Sequence, residues 1–299
     1  QLLLKEVIDR YQPSLIHVHS SNLANMAYLA NRKNSDNILL TFHGYFKNDK
    51  NAISEGKKRG LDIEKLYSNI YKGINATFLN SVMYEETIID KTIEVDKKFI
   101  IPNGINSSFY YCEKARFQIR KEFNINDNKL FLISVGALST RKNLINLIDM
   151  LKNSNLDFLY LIVGREGDQK EKIKQSIQND LRFRLMEYVK NDLVYRYYSA
   201  ADILMLPSTK EGQALVSIEA FSCGLPVVIN KKITDSLGSL KEYENHLEID
   251  LDKKELKELE GLKNFKNRDR KKISNKIQLE HHWSAIAIKY IEAYKLIIK

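Results

Sequence analysis

Two stretches of the chain hold residues whose types and spacing could do chemistry. The segment KEGQALVSIEAFSCGLPVV, residues 210–228, places Glu211 and Glu219 eight positions apart. The segment GALSTRKN, residues 136–143, places Arg141 beside Lys142. A guanidinium and an ammonium side by side suit a diphosphate, the first by its fork geometry and the second as a compact charge. A carboxylate can accept from sugar hydroxyls, and it grips a vicinal diol with two hydrogen bonds. Each feature also has a plainer reading. Arg-Lys pairs are common in solvated loops, Glu211 could simply stabilise a helix N-terminus, and Glu219 could be an exposed acid. Yet Val216, Ile218, Ala220 and Phe221 surround Glu219, and an acid in such company is costly without partners.

The elements that must position these residues are legible in the pattern. SLIHVHS, NILLTFHG, ATFLNS, KKFIIP, KLFLISVG, DFLYLIVG, RFRLMEYV, DILMLPS and PVVIN read as strands. Helical patterns lie between and after them, at about 22–32, 63–74, 83–91, 113–123, 144–153, from 168, 193–201, 213–222 and 283–299. Such alternation implies α/β architecture with parallel sheets. Continuous apolar runs such as FLISVG, LYLIVG and ILMLPS suit strands buried on both faces. The turn chemistry of Pro102-Asn103-Gly104 marks a boundary, after which the pattern restarts. The expected architecture is two Rossmann-like domains facing each other across a cleft, 1–103 and 104–282.

In open parallel sheets, ligands bind beyond the carboxyl ends of the strands. Gly136 ends one strand, which brings Arg141 and Lys142 to the cleft mouth. Pro207-Ser208 ends another, and a helix is expected from about Gln213. The first N–H groups of that helix, around Gln213, Ala214 and Leu215, would form an anion site. Gly212 lets the backbone pass close to a phosphate. Cys223-Gly224-Leu225-Pro226 reads as a helix stop. Gly164-x-x-Gly167 permits a tight turn but specifies no ligand. The chain lacks a full GxGxxG and a GxxxxGK[ST], which argues against a dinucleotide dehydrogenase and a P-loop kinase. His43 follows a strand and could bond a sugar hydroxyl or shield an oxocarbenium-like centre. His17 and His19 could in principle join His43 on a metal, but no carboxylate or cysteine cluster completes the set. A packed, hydrogen-bonded histidine is the better reading of His17.

Composition bounds the partners. The 299 residues carry a net charge of +9, which favours anionic ligands or surfaces. Lys47, Lys50, Lys57, Lys58 and Arg59 cluster in one region and suit an anionic membrane surface. The other basic residues are dispersed and no nucleic-acid recognition module is present. The charge-rich tract 252–272 reads as a solvated surface helix. No apolar run is long enough to cross a bilayer. Cys112 and Cys223 lie far apart with no metal-like spacing, which suits a reducing cytosol.

The combination resembles family 4 of the glycosyltransferases, retaining enzymes of the GT-B fold. EGQALVSIEAFSCGLPVV matches the family's pair of glutamates and the Cys-Gly-x-Pro-Val run that follows. YRYYSAADILMLPS resembles its Tyr…Ala-Asp…Pro-Ser lead-in, and IPNGI its inter-domain Asn-Gly. WSAIAIKYIEAYKLI resembles the closing helix, which implies that 283–299 returns to the first domain. By that resemblance Glu219 holds the ribose hydroxyls of a nucleoside diphosphate sugar and Glu211 contacts the donor sugar. Arg141 and Lys142 neutralise the leaving diphosphate, beside Gly136, Gly212 and the start of the helix, and His43 lies near the donor sugar. No metal cofactor is expected. The family's opening strand, glycine loop and helix do not precede LLLKEVIDRYQP, so the first domain is expected to be incomplete. Ala137 stands where many members have Arg, with Arg141 as its substitute. KKITDSLGSLKEYE replaces the usual Gly-Gly-x-x-Glu loop, with Ser236, Gly238 or Ser239 as backbone donors.

The leading expectation is therefore a cytoplasmic, retaining hexosyltransferase acting in surface polysaccharide or glycolipid synthesis. Its acceptor would be a glycan or lipid-linked hydroxyl, with peripheral contact to an anionic membrane. A sugar-nucleotide epimerase of the same fold and a non-catalytic nucleotide-sugar or partner-binding remnant are the alternatives.

Overall fold

The computed structural model describes residues 2–19, 37–43, 74–81, 83, 85, 95–253, 261–262 and 269–298. The helix expected at 22–32, that at 63–74 apart from Ile74 (which opens a strand), most of that at 83–91, the basic cluster at 47–59 and most of the tract 252–272 lie outside the described residues. Contacts divide the chain into two units. One holds Gln1–Asn103 and Ile286–Lys299, and the other Gly104–Ala285.

The first unit contains α1 (Leu2–Tyr11) and the strands β1 (Ile16–Val18), β2 (Ile38–Phe42), β3 (Ile74–Phe78) and β4 (Val95–Ile100). They form one parallel sheet in the order β1-β2-β3-β4. Every residue of β2 is buried, as a strand covered on both faces requires. Phe42 and Phe78 stack across neighbouring strands with ring centroids 4.8 Å apart.

The second unit contains α2 (Glu113–Glu122), β5 (Leu130–Val135), α3 (Leu144–Lys152), β6 (Phe158–Val163), α4 (Lys170–Ile177) and β7 (Phe183–Met186). It continues with α5 (Val194–Ala200), β8 (Ile203–Leu206), α6 (Leu215–Ser222), β9 (Val227–Asn230), β10 (His246–Ile249) and α7 (Arg270–His281). The six strands are parallel in the order β10-β9-β8-β5-β6-β7. This is the doubly wound order of a Rossmann sheet, and its reversal point lies between β5 and β8. A crevice opens outside the carboxyl ends of those two strands, so whatever follows Val135 and Leu206 sits where ligands bind.

Local chemistry fixes the helices that matter. Leu144, Leu147, Ile148 and Leu151 recur at helical spacing and bury one face of α3. α6 ends in a Schellman motif. Gly224 adopts φ 61°, its N–H donates to Phe221 O, and the Leu225 N–H donates to Ala220 O. A Cβ on Gly224 would also lie 2.1 Å from the Arg270 carbonyl oxygen. The start of α6 is later than the sequence suggests. Ala214 is the cap and Leu215 the first helical residue, because the chain bends through Gly212-Gln213 after β8.

Two buried arginines lock the elements behind the crevice. Arg120 and the partly buried Arg116 of α2 both pair with Asp202, at 3.0 and 2.7 Å, and Asp202 also accepts from the Phe131 N–H. Arg270 donates to the carbonyls of Tyr198, Ser199 and Ala201 at the end of α5 and to Cys223 at the end of α6. It thereby satisfies terminal carbonyls of two helices at once. The final helix, α8 (Trp283–Ile298), follows α7 directly, and its Ile286 and Ala293 pack with Ile101 of the first unit.

Candidate active site

The loop after β5 is built by backbone contacts that only glycine permits. Gly136 adopts φ 142°, and the Lys142 side chain folds over it, with Cε 3.4 Å and Nζ 3.6 Å from where a Cβ would stand. Thr140–Lys142 form a single 3-10 turn, closed by Asn143 in the left-handed region before α3 begins. The loop after β6 supports this turn from the side. The Leu138 N–H donates to Glu166 O, the Gln169 N–H to Leu138 O, and the Thr140 N–H to Asp168 Oδ1. The Thr140 hydroxyl also donates to Asp168, and these bonds hold the Asp168 carboxyl below its usual range. A Cβ at Gly164 would fall 2.2 Å from Gly136 O, and one at Gly167 2.1 Å from Leu138 O. The two glycines of that loop thus serve the stacking of one loop on another.

The loop after β8 is stitched to the same turn. The Thr209 N–H donates to Arg141 O, and the Arg141 guanidinium donates to Lys210 O at 2.8 Å. Glu211 takes both cations. Its Oε1 lies 2.7 Å from Lys142 Nζ and its Oε2 2.7 Å from an Arg141 nitrogen. The Glu211 side chain is only 9% exposed, whereas Arg141 is about half exposed. Burial pushes the Glu211 carboxyl up, but the Lys142 ammonium and Arg141 outweigh it and hold the group below the usual carboxylate range. The three side chains carry a net charge of +1 (two cations, one carboxylate) at the reversal point of the sheet.

Glu219 stands on α6 with its Oε2 accepting from the Tyr198 hydroxyl at 2.8 Å. Burial raises its pKa, and the Tyr198 hydroxyl and the Lys142 charge offset this only in part. Lys142 therefore acts on both acids. A narrow cavity at the carboxyl ends of β5, β6 and β8 is lined by Gly136, Ala137, Lys142, Val163, Pro207 and Ser208. Gly212, Gln213, Ala214 and Leu215 form the passage from Glu211 into α6; Gln213 and Ala214 are buried and Leu215 is exposed. Ala137 is exposed on the loop. The segment Lys231–Tyr243 after β9 is a 3-10 run, broken at Ile233 and at Gly238 (φ 55°), with Ser236 buried.

The structure thus brings Arg141, Lys142, Glu211 and Glu219 into one electrostatic group in the second unit. His43 belongs to the first unit. It is exposed after β2 and its Nε2 lies 3.1 Å from His19 Nδ1. His17 is held on both sides, Nδ1 by the Tyr294 hydroxyl at 2.6 Å and Nε2 by Thr41 Oγ1 at 2.7 Å. Burial, with His19 and His43 adding, pushes its pKa down to about 4, so His17 is a neutral, packed histidine. Among the described residues no group of His, Cys, Asp or Glu is arranged to hold a metal. Sequence reasoning did not single out Tyr198, Asp168 or Arg270. Tyr198 was within reach, since it lies four residues before Asp202 in the quoted Tyr…Ala-Asp lead-in.

Two family models match the chain. Glycosyl transferases group 1 covers residues 115–259, and Glycosyltransferase Family 4 covers residues 1–109. Among curated proteins, the chain is 22% identical over 267 residues to the alpha-monoglucosyldiacylglycerol synthase of Streptococcus pneumoniae, covering 81% of this chain and 58% of that protein. It is 26% identical over 243 residues to the UDP-Gal:alpha-D-GlcNAc-diphosphoundecaprenol alpha-1,3-galactosyltransferase of Escherichia coli, covering 77% and 59%. The chain therefore spans somewhat over half the length of these relatives. Among solved structures, sucrose-phosphate synthase from Thermosynechococcus elongatus matches with TM-score 0.76 at 20% identity, covering 98% of this chain and 76% of that one. Anabaena HepE in complex with UDP matches with TM-score 0.77 at 16% identity, covering 98% and 82%. These likenesses establish the GT-B fold.

Proposed function

The chain belongs to the glycosyltransferases of the family 4 type with a group 1 domain, and from that premise we propose that it transfers a hexose, with retention, from a nucleoside diphosphate sugar to an acceptor hydroxyl. One observation carries the reading: at the reversal point of the second sheet the Lys142 ammonium pairs with Glu211 at 2.7 Å, and its charge also lowers the pKa that burial raises at Glu219. In our account Glu219 holds the ribose diol and Glu211 a hydroxyl of the donor sugar. The diphosphate rests against Lys142, Arg141 and the start of α6, beside Gly136 and Gly212. As the bond from the anomeric carbon to the phosphate oxygen lengthens, negative charge collects on the diphosphate. Fixed cations act most strongly where charge develops in this way. The protein itself supplies two of them, so we read the transfer as metal-independent.

The acceptor is proposed as lipid-linked or a growing surface glycan. The relatives named for diacylglycerol and diphosphoundecaprenol acceptors support that choice. We place the protein in the cytoplasm, at the inner face of a membrane, with its excess positive charge toward anionic lipid.

The test is transfer from UDP- and GDP-hexoses to glycolipid acceptors in chelator, with the anomeric configuration of the product read by NMR. Retained configuration and loss of turnover in Glu219→Ala are expected. Wild-type turnover by Glu219→Ala, or isomerised donor in the absence of acceptor, would contradict the proposal.

A further inference from the structure

We propose that Tyr198 is a positioning residue that fixes the orientation of Glu219 toward a ribose diol. The inference rests on the reading that Glu219 holds the ribose. Glu219 lies on α6 among apolar neighbours, and among the described residues its side-chain hydrogen bond comes from the Tyr198 hydroxyl, 2.8 Å from Oε2. Tyr198 is wholly buried and its ring is packed in the core with Phe109 beside it. Its hydroxyl pKa is pushed well up by burial and by the neighbouring carboxylate, so it remains a donor.

The donor cannot drift away from the acid. Arg270 binds the Tyr198 carbonyl at 2.7 Å and the Cys223 carbonyl, at the end of the helix bearing Glu219, at 3.1 Å. One buried guanidinium therefore sets α5 and α6 in register. The hydroxyl–carboxylate bond is the side-chain expression of that register. With Oε2 anchored, the carboxylate plane is fixed, and Oε1 and the remaining lone pair of Oε2 point in set directions. A vicinal diol presents two donors at a fixed separation, so a fixed carboxylate plane discriminates a diol from a single hydroxyl. A freely rotating carboxylate discriminates less.

The readout is the ratio of affinities for ribonucleoside and 2′-deoxyribonucleoside diphosphates, which a general loss of stability does not change. Calorimetry with UDP and dUDP, and with ADP and dADP, is run on the 299-residue wild type, Tyr198→Phe, Glu219→Gln and the double variant. For the nucleotide that binds, wild type should prefer the ribo form by about tenfold or more, the scale of a hydrogen bond to a charged group. Glu219→Gln should erase the preference and Tyr198→Phe should cut it several-fold. In the Glu219→Gln background, Tyr198→Phe should have no further effect on the ratio. An unmoved ratio in Tyr198→Phe, with the preference lost in Glu219→Gln, would overturn the role of Tyr198 alone. An additive effect in the double variant would overturn it as well, since Tyr198 would then act apart from Glu219. An unmoved ratio in Glu219→Gln would overturn the ribose-holding reading itself, and the inference with it.

Discussion

The Lys142 ammonium sits 2.7 Å from Glu211 Oε1 and so joins the loop after β5 to the loop after β8 at the reversal point of the sheet. The carboxylate assigned to the donor sugar is therefore also the counter-ion of the cation assigned to the diphosphate. A diphosphate arriving at Lys142 and Arg141 has to compete with Glu211 for them.

That competition gives Glu211→Gln opposite effects on two measurements. Transfer should fall by about 100-fold or more, as when an interaction specific to the transition state is removed. Binding of the bare nucleoside diphosphate should tighten by about two- to fivefold, corresponding to ~0.5–1 kcal/mol for an ion pair whose Arg141 arm is open to solvent. Calorimetry and initial rates on the same preparation check both.

The pH dependence of nucleotide binding should report Glu219. Its pKa is raised by burial, with Tyr198 and Lys142 offsetting only part of the rise. The carboxylate should accordingly take up its proton at a higher pH than an ordinary glutamate. Affinity for a ribonucleoside diphosphate should weaken as pH falls through that raised value, and Glu219→Gln should remove this acid limb. Folding carries the opposite sign, because the folded state binds this proton more tightly than the unfolded chain and gains stability as pH falls through the raised value. A carboxylate with a raised pKa is a cost to the folded state at neutral pH, so Glu219→Gln should raise the Tm measured without ligand.

Asp202 has the opposite sign. Burial pushes its carboxyl up, but Arg116 and Arg120 outweigh that and leave it below its ordinary value. Its contribution to stability is present above the unfolded carboxylate pKa of about 3.9 and is lost as pH falls through the depressed value. Asp202→Ala leaves Arg120 buried without its carboxylate and should cost about 3–5 kcal/mol at neutral pH, read by urea unfolding.

Gly167→Ala tests the buttress under the cationic turn. The residue adopts φ 153° and a Cβ would meet the Leu138 backbone at 2.1 Å, so neither loop can accommodate it without moving. A loss of about 1–3 kcal/mol in stability is expected, the scale of strained backbone. Nucleotide affinity should fall with it, because Leu138 and Thr140 set the place of Arg141 and Lys142.

Much of this was legible in the sequence, for identifiable reasons. Strands buried on both faces are continuous apolar runs, so β5, β6 and β8 could be read directly, and their order of appearance with helices implied parallel sheets. The stop at Cys223-Gly224-Leu225-Pro226 was legible because a left-handed cap and a proline leave local marks. The start of α6 was not, since Gly212 and Gln213 suit a turn and a first helical turn equally well, and α6 begins at Leu215. β10 went unread because HLEI is a short edge segment of mixed polarity, with one residue exposed and one fully buried. Arg270 was illegible in principle. It binds backbone carbonyls 47 to 72 residues away, and a carbonyl has no residue type. The partners of Gly164 and Gly167 are likewise backbone atoms of another loop.

The most direct measurement is the dissociation constant of nucleoside diphosphates for the wild-type chain, Lys142→Met and Glu219→Ala, with the Tm of each recorded alongside. Saturable binding of one diphosphate per chain is expected, with a loss of about tenfold or more in each variant while the fold persists. Wild-type affinity in both variants would contradict it, because neither the cation nor the acid on α6 would then be touching the nucleotide.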